Sequence, residues 1–312
     1  MADSPTPTPS PPIRIGTRAS ALALAQTGLV ANALAAARPG LACEIVRITT
    51  TGDRRHDKPL PQLGGKGLFT KEIEDALLAG DIDLAVHSLK DLPTRLAPGL
   101  AIAAIPQRAP ANDALVAANG QPIDQLPQGA RIGTSSPRRA AQLLAARPDL
   151  QPLSIRGNLD TRLRKLREGR YDAIVLALAG LTRLGLADQV TQVLPIDLML
   201  PAPGQGALAI ETRAADPTIA ALVGLIDHPA SAAATTAERR VLEGLGSGCS
   251  LPLGTHAELD GDTLRLRAAL LALDGAHACR ADRSGPAADP IALACAVVAD
   301  LRAAGADSIL SQ

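Results

Sequence analysis

The chain has 312 residues, 46% of them hydrophobic, with one Phe, one Tyr, no Trp, and 31 basic against 31 acidic side chains. That length suits two or three domains with cores of Leu, Val, Ile and Ala. No run of 18 apolar residues lacks a charge, which argues against a membrane span, and two aromatics leave almost no platform for stacking nucleic-acid bases.

Residues 1–12 are rich in Pro, Ser and Thr with no apolar core, and read as a disordered tail rather than a signal peptide. Ile13–Ile15 is a short strand. Ser20 is placed to cap a helix from Ala21 to about Arg38, stopped by Pro39-Gly40. Cys43–Ile48 alternates as a strand, completing a βαβ unit and hence a parallel sheet. Residues 49–67 form a long irregular segment ending in Gly64-Gly65-Lys66-Gly67, the kind of loop that is either functional or disordered. A helix from Leu68 to Leu78 stops at Gly80, and a buried strand follows at Ile82–Val86. His87-Ser88-Leu89-Lys90-Asp91 stands at its carboxyl end, where open α/β sheets bind ligands.

After a strand at Leu100–Ile105 the pattern begins again. Arg131-Ile132-Gly133-Thr134 repeats Arg14-Ile15-Gly16-Thr17, and Tyr171–Leu176 echoes Asp81–Val86. Ser136-Pro137 supplies a cap and a first-turn proline. The repeat predicts two similar α/β lobes facing each other across a cleft, residues 13–106 with 207–226 and residues 112–200. The chain crosses between them at the Pro/Gly-rich stretches 106–112 and 201–206. Residues 229–312 read as a third, α+β domain: a helix ending at Gly244, strands turned at Asp260-Gly261 and Asp274-Gly275, and a last helix from Pro290 to Ala304.

Three features carry chemistry. Cys249 lies in Leu245-Gly246-Ser247-Gly248-Cys249-Ser250-Leu251-Pro252, where small neighbours leave a thiol reachable; a loop cysteine can equally be a small hydrophobe. Cys43, Cys249, Cys279 and Cys295 show no CxxC or metal-ligand spacing, which suits free thiols in a reducing cytoplasm. Lys90-Asp91 is either a surface ion pair or a carboxylate at the cleft floor able to stabilise a cation. Between Arg131 and Arg170 ten basic residues face three acids, a net +7 that either solvates helix faces or binds an anion. Arg138 and Arg139 sit in the first turn of a helix, against its dipole, so a ligand is expected to supply the compensating negative charge. The alternatives at this level are a nucleic-acid partner, which the missing aromatics and RNA- or DNA-binding signatures disfavour, and a two-lobe solute-binding or regulatory protein for an anionic ligand.

Gly64-Gly65-Lys66-Gly67-Leu68-Phe69, His87–Asp91, Gly133-Thr134-Ser135-Ser136-Pro137-Arg138-Arg139, Arg156-Gly157-Asn158, Gly204-Gln205-Gly206 and Gly248-Cys249 occur in this order. From about Ile13 to Ile309 the chain resembles the porphobilinogen deaminase (hydroxymethylbilane synthase) family. The resemblance implies two periplasmic-binding-protein-like doubly wound lobes plus a C-terminal α+β domain with an antiparallel sheet. It implies a transferase of tetrapyrrole biosynthesis leading to heme, cytoplasmic and monomeric, without nucleic-acid, membrane or metal partners. Four porphobilinogen molecules are condensed stepwise, each losing ammonia, onto a dipyrromethane cofactor, and hydrolysis releases hydroxymethylbilane. By the same resemblance Cys249 holds the dipyrromethane through a thioether and Asp91 is the catalytic carboxylate, stabilising the cationic azafulvene formed on deamination. Ser88, Lys90, Thr134, Ser136, Arg138, Arg139 and Arg162 would bind the cofactor. Arg18, Ser20, Arg156, Arg183, Lys66, Phe69 and Gln205 would bind substrate or line the cleft. The chain departs from the family pattern at Gln62, Asn112, Pro137 and Ser247, and Gln62 puts a second loop lysine in doubt.

Overall fold

The computed structural model describes residues 11–51, 70–246 and 251–311. In the first lobe, β1 (Ile13–Arg18) leads into α1 (Ala21–Ala37), then β2 (Cys43–Ile48), α2 (Lys71–Ala79), β3 (Leu84–Ser88) and β4 (Leu100–Ala104). The Ser20 hydroxyl caps α1 by accepting from the Ala23 N–H at 3.2 Å. Gly80, in the left-handed region at φ 78°, closes α2. β1 runs parallel to β2 and to β3. The sheet order is β2-β1-β3-β10-β4, where β10 (Leu208–Arg213) returns from far along the chain and runs antiparallel to both neighbours. Leu84, Ala85 and Val86 are buried on both faces, as central strands of such sheets are. The strand begins two residues later than its hydrophobic run predicts.

The second lobe repeats this plan with β5 (Asp113–Ala117), β6 (Arg131–Gly133), α3 (Pro137–Ala146), β7 (Gln151–Leu153), α4 (Leu159–Arg167), β8 (Ala173–Ala177), α5 (Leu178–Arg183) and β9 (Gln192–Val193). Its order, β7-β6-β8-β5-β9, matches the first sheet position for position, with β5 as the antiparallel counterpart of β10. The Arg-Ile-Gly-Thr repeat explains the likeness locally. Arg14 grips Asp83 through its backbone N–H (2.8 Å) and guanidinium (2.7 Å), and Arg131 grips Asp172 in the same way (2.7 and 2.9 Å). A Cβ on Gly16 would stand 2.2 Å from Ile82 Cδ1, and one on Gly133 would stand 2.8 Å from Ile174 Cγ2, so both repeats need the glycine for close packing. The two lobes share one doubly wound α/β arrangement.

The two crossings between lobes lie side by side, with the Ala109 N–H donating to the Gly206 carbonyl at 3.3 Å. Gly206 is held at φ 87°, and a Cβ there would meet the Ala109 oxygen at 2.4 Å, so the crossing tolerates no side chain. After β10 come α6 (Pro217–Gly224) and α7 (Pro229–Gly244), then β11 (Leu253–Asp260), β12 (Thr263–Leu271), β13 (Ala278–Pro286), α8 (Pro290–Ala303) and α9 (Ala306–Leu310). The three strands form a separate antiparallel sheet, and α7 and α8 pack on it around Val241, Leu266, Leu270, Val297 and Leu301. Glu238 of α7, fully buried, ties this unit to both crossings. It takes two bonds from the Arg108 guanidinium (2.7 and 2.9 Å) and one each from the Gly204 and Ala257 N–H groups (both 2.8 Å). Among the described residues no helix is long and apolar enough to cross a membrane.

Candidate active site

The floor of the cleft is a 3-10 turn, Leu89–Asp91, continuing β3. Leu89 and Leu92 are buried anchors on either side of it, and the Leu89 N–H is bonded to the Ala207 carbonyl at 3.1 Å. Between these anchors Asp91 is exposed, while Lys90 is half-buried with its ammonium turned towards Gln205. Asp91 shares a cavity with Arg18, Ser20, Gln26, His87 and Ser88, which brings together four of the residues expected at the site, Arg18, Ser20, Ser88 and Asp91. The Ser88 hydroxyl is engaged with the Gln26 side chain of α1 (2.9 Å). His87 is buried and faces Glu211 at 3.0 Å, which makes it a structural partner of β10.

The second lobe brings cations to the same place. Arg138 and Arg139 sit where predicted, in the first turn of α3, but both are buried. Their dipole mismatch is met from inside the protein, by Asp113 at the start of β5. Arg138 Nη1 donates to Asp113 Oδ2 (2.7 Å), and Arg139 donates through Nη2 (2.6 Å) and Nε (3.1 Å) to Oδ1. This corrects the expectation that only a ligand offsets them. Asp113 is fully buried, and the paired guanidinium groups hold its carboxyl far below the usual range despite the burial. One carboxylate still faces two cations, so a positive excess remains.

Gln205, expected to line the cleft, lies beneath it with no exposed surface. Its amide nitrogen donates to Asp113 Oδ1 (2.8 Å) and the Ala111 carbonyl (2.6 Å), while its oxygen accepts from Lys90 Nζ (3.3 Å). It therefore links the second crossing, the second lobe and the first-lobe turn. Burial lowers the Lys90 ammonium to about 8, with Arg139 and Arg138 pushing the same way and Asp91 and Asp113 opposing. Burial also lowers Arg162, in the first turn of α4, to about 10, where Arg139 and Arg156 add to the shift and Asp91 opposes it. Arg162 Nε is steadied by the Gly157 carbonyl at 2.8 Å. Burial lowers Arg183 as well, and its guanidinium is bonded to the Gly206 carbonyl at 2.6 Å. Thr134 is buried and accepts from the Ser136 N–H (3.2 Å), and the Ser136 hydroxyl caps α3. These two hydroxyls shape the α3 entry.

Cations from both lobes thus converge around one exposed carboxylate. Cys249, Lys66 and Phe69, together with Gln62 and Ser247, lie outside the described residues. Asp113 is the site residue that sequence reasoning missed. Its only local signal is an acid opening a strand directly after a Pro-rich crossing, a pattern too common to single out.

Residues 13–221 match the family model described as "Porphobilinogen deaminase, dipyromethane cofactor binding domain", and residues 232–303 match the model described as "Porphobilinogen deaminase, C-terminal domain". The porphobilinogen deaminase of Roseiflexus castenholzii is 53% identical over 299 residues, covering 96% of this chain and 98% of that one. That of Geobacter metallireducens is 49% identical over 300 residues, covering 96% and 94%. Among solved structures, an ancestral cationic amino acid solute binding protein has a TM-score of 0.41 and 18% identity, covering 69% of this chain and 87% of that one.

Proposed function

The chain belongs to the porphobilinogen deaminase family, and we propose that Asp91 is its catalytic carboxylate and Cys249 the attachment point of its dipyrromethane. As a hydroxymethylbilane synthase, the enzyme condenses four porphobilinogen molecules, with loss of ammonia at each step, and releases hydroxymethylbilane by hydrolysis. The observation that carries the assignment of roles is the convergence of Lys90, Arg138, Arg139 and Arg162 on the turn bearing Asp91. Each pyrrole of the cofactor or product brings an acetate and a propionate. Burial is what chiefly depresses Lys90 and Arg162, and neighbouring arginines add to it; ligand carboxylates seated against these cations offset both. The residues present therefore fit a dipyrromethane. When bound, that group supplies the nucleophilic pyrrole carbon to which the first porphobilinogen is joined.

The protein's own contribution follows from where its groups sit. Asp91, exposed at the cleft floor, accepts hydrogen bonds from pyrrole N–H groups and stabilises the positive charge that develops on porphobilinogen as ammonia departs. Lys90, Arg138, Arg139 and Arg162, with Ser88, Thr134 and Ser136, hold cofactor carboxylates. Arg18, Ser20, Arg156 and Arg183 hold those of the substrate, and Lys66 and Phe69 line the cleft or its loop. Gln205 acts indirectly, by fixing Lys90 and Asp113. The proposal extends to a cytoplasmic monomer with a small-molecule substrate and neither nucleic acid nor membrane as partner, supported by the free thiols at Cys43, Cys279 and Cys295 and by the scarcity of aromatics.

Intact mass tests the attachment. The purified protein is expected to exceed its sequence mass by two condensed porphobilinogen units, with the adduct on the peptide containing Cys249. Burial raises the thiol pKa of Cys43 and of Cys279, which makes both poor nucleophiles. Replacing either of them, or the exposed Cys295, by Ala is expected to leave loading and turnover intact. A fully active enzyme of unmodified mass contradicts the assignment.

Lys90 adds a pH dependence. The unfolded chain keeps this proton up to about 10.5 and the folded, ligand-free site only to about 8. Keeping Lys90 charged in the fold therefore carries its full cost below about 8, a cost that fades as pH rises towards 10.5, and a carboxylate seated against the ammonium removes it. Loading of cofactor-free protein with porphobilinogen is expected to slow as pH rises through about 8, and Lys90→Gln to flatten that limb. Time-resolved intact mass across pH 6.5–9.5, a range set around the cited value and on the order of three units wide, reads it. A wild-type profile identical to that of Lys90→Gln removes Lys90 from the loading step.

A further inference from the structure

The turn bearing Asp91 is gripped from behind by the third domain. Arg239, midway along α7, extends its guanidinium to three successive outlets of that turn: Nη1 donates to the carbonyls of Leu89 (3.1 Å) and Leu92 (2.9 Å), and Nη2 donates to that of Pro93 (2.6 Å). These carbonyls bracket Lys90 and Asp91 in the chain. A 3-10 turn ends with carbonyls that its own backbone leaves unsatisfied, and a planar guanidinium with its donors in a fixed fork can hold several of them at once. The turn is also clamped by packing, since Leu89 and Leu92 share a core with Ile105, Ala207, Ala209 and Ala232, the last of them on α7. A Cβ on Gly204 would come within 2.9 Å of Leu89 Cγ, which leaves the turn no room to sink. Along the chain, Arg239 is ten residues before Cys249.

We propose that Arg239 is a positioning residue for the reaction at Asp91. It holds the backbone of the catalytic turn from the domain that carries Cys249, so the carboxylate is presented in register with that domain rather than with the first lobe alone. The inference rests on the reading of Asp91 as the catalytic carboxylate. Arg239 reaches the turn through its backbone carbonyls and is not among the residues lining the cavity that holds Asp91, so it acts through the turn. Its effect is therefore on the rate of the chemical step and not on porphobilinogen affinity.

The test is a double-substitution cycle in the full-length protein, with each variant first shown by intact mass to be loaded. Arg239→Leu is expected to lower kcat about 10- to 100-fold, the scale on which a small misplacement of a reacting group is felt, with KM within about threefold of wild type. Arg239→Lys keeps the charge but not the fork, and is expected to recover part of that loss. Asp91→Glu has already displaced the carboxylate, so in that background either Arg239 substitution is expected to cost no more than about threefold in kcat, far less than alone. Where Arg239→Leu does not fold, the Arg239→Lys cycle decides between the outcomes. A kcat within twofold of wild type for the folded variants overturns the proposal, and so do losses that simply multiply in the Asp91→Glu background. Failure of the underlying reading is separately visible, because Asp91→Asn would then turn over like wild type whatever Arg239 does.

Discussion

Replacing Asp91 by Asn is expected to abolish most turnover while leaving the fold intact. The side chain is exposed and its turn is anchored by Leu89 and Leu92 rather than by the carboxylate, so losing the charge costs little stability. Its charge opposes the downward shifts of Lys90 on its own turn and of Arg162 in the second lobe. When porphobilinogen loses ammonia the ring becomes cationic, and a fixed carboxylate beside it lowers the barrier without any solvent rearrangement. Removing one such preorganised stabiliser in other enzymes costs about 100- to 1000-fold in kcat. Asp91→Glu keeps the charge and displaces it by one methylene, so it is expected to fall between wild type and Asp91→Asn. Single-turnover ammonia release from loaded, folded variants is the measurement. If Asp91→Asn releases ammonia as fast as Asp91→Glu, charge is not what the residue contributes.

The second large effect is expected at Asp113. Its carboxylate is fully buried and carries Arg138, Arg139 and Gln205 at once. Asp113→Asn keeps the volume and leaves two guanidinium groups buried against a neutral amide. Breaking a buried pair by removing one partner costs about 3–5 kcal/mol, and here both cations lose theirs. Urea unfolding of cofactor-free protein is expected to show a loss of that size, and loading to recover part of it as ligand carboxylates replace the missing charge. A cofactor-free variant as stable as wild type means that the arginines are not charge-compensated through Asp113. The sign with pH follows from the depressed carboxyl: its contribution is complete above the ordinary Asp range near 4 and fades in acid. The same burial governs Arg138→Leu. That variant gives up a bond to Asp113 and one to the Leu200 carbonyl, so it loses stability as well as the capacity to hold cofactor.

What could be read in the residues was what chain-local physics determines. Ser20 and Ser136 announce helix starts, the paired Arg-Ile-Gly-Thr segments announce two lobes, and Lys90-Asp91 stands at a strand end where ligands bind. What could not be read depends on which distant segments meet. Asp113 looks like any strand-opening acid until β5 pairs antiparallel with β8 and lies under α3. The resemblance puts Gln205 at the cleft, yet the side-by-side crossings turn it inward. The partners of Arg239 are about 150 residues earlier in the chain, beyond any spacing rule. The expectation that only a ligand offsets Arg138 and Arg139 is corrected for the same reason: it weighs the helix dipole, which is local, without the carboxylate that tertiary pairing supplies.

The insertion of β10 between β3 and β4 also dictates an order of biosynthesis. Strands β5 to β9 are contiguous, so the second lobe can close its sheet as soon as about residue 193 is available. The first lobe, although translated earlier, cannot. Taking β10 out of its sheet leaves β4 without a hydrogen-bonded neighbour among the described residues and uncovers Val86 and Ala104. A nascent chain therefore carries an unfinished N-terminal sheet on the ribosome until residues 208–213 emerge, while the segment born after it matures first. Such a long-lived open sheet edge is where a chaperone would be needed, and the lobe that begins the chain is the later of the two to become native.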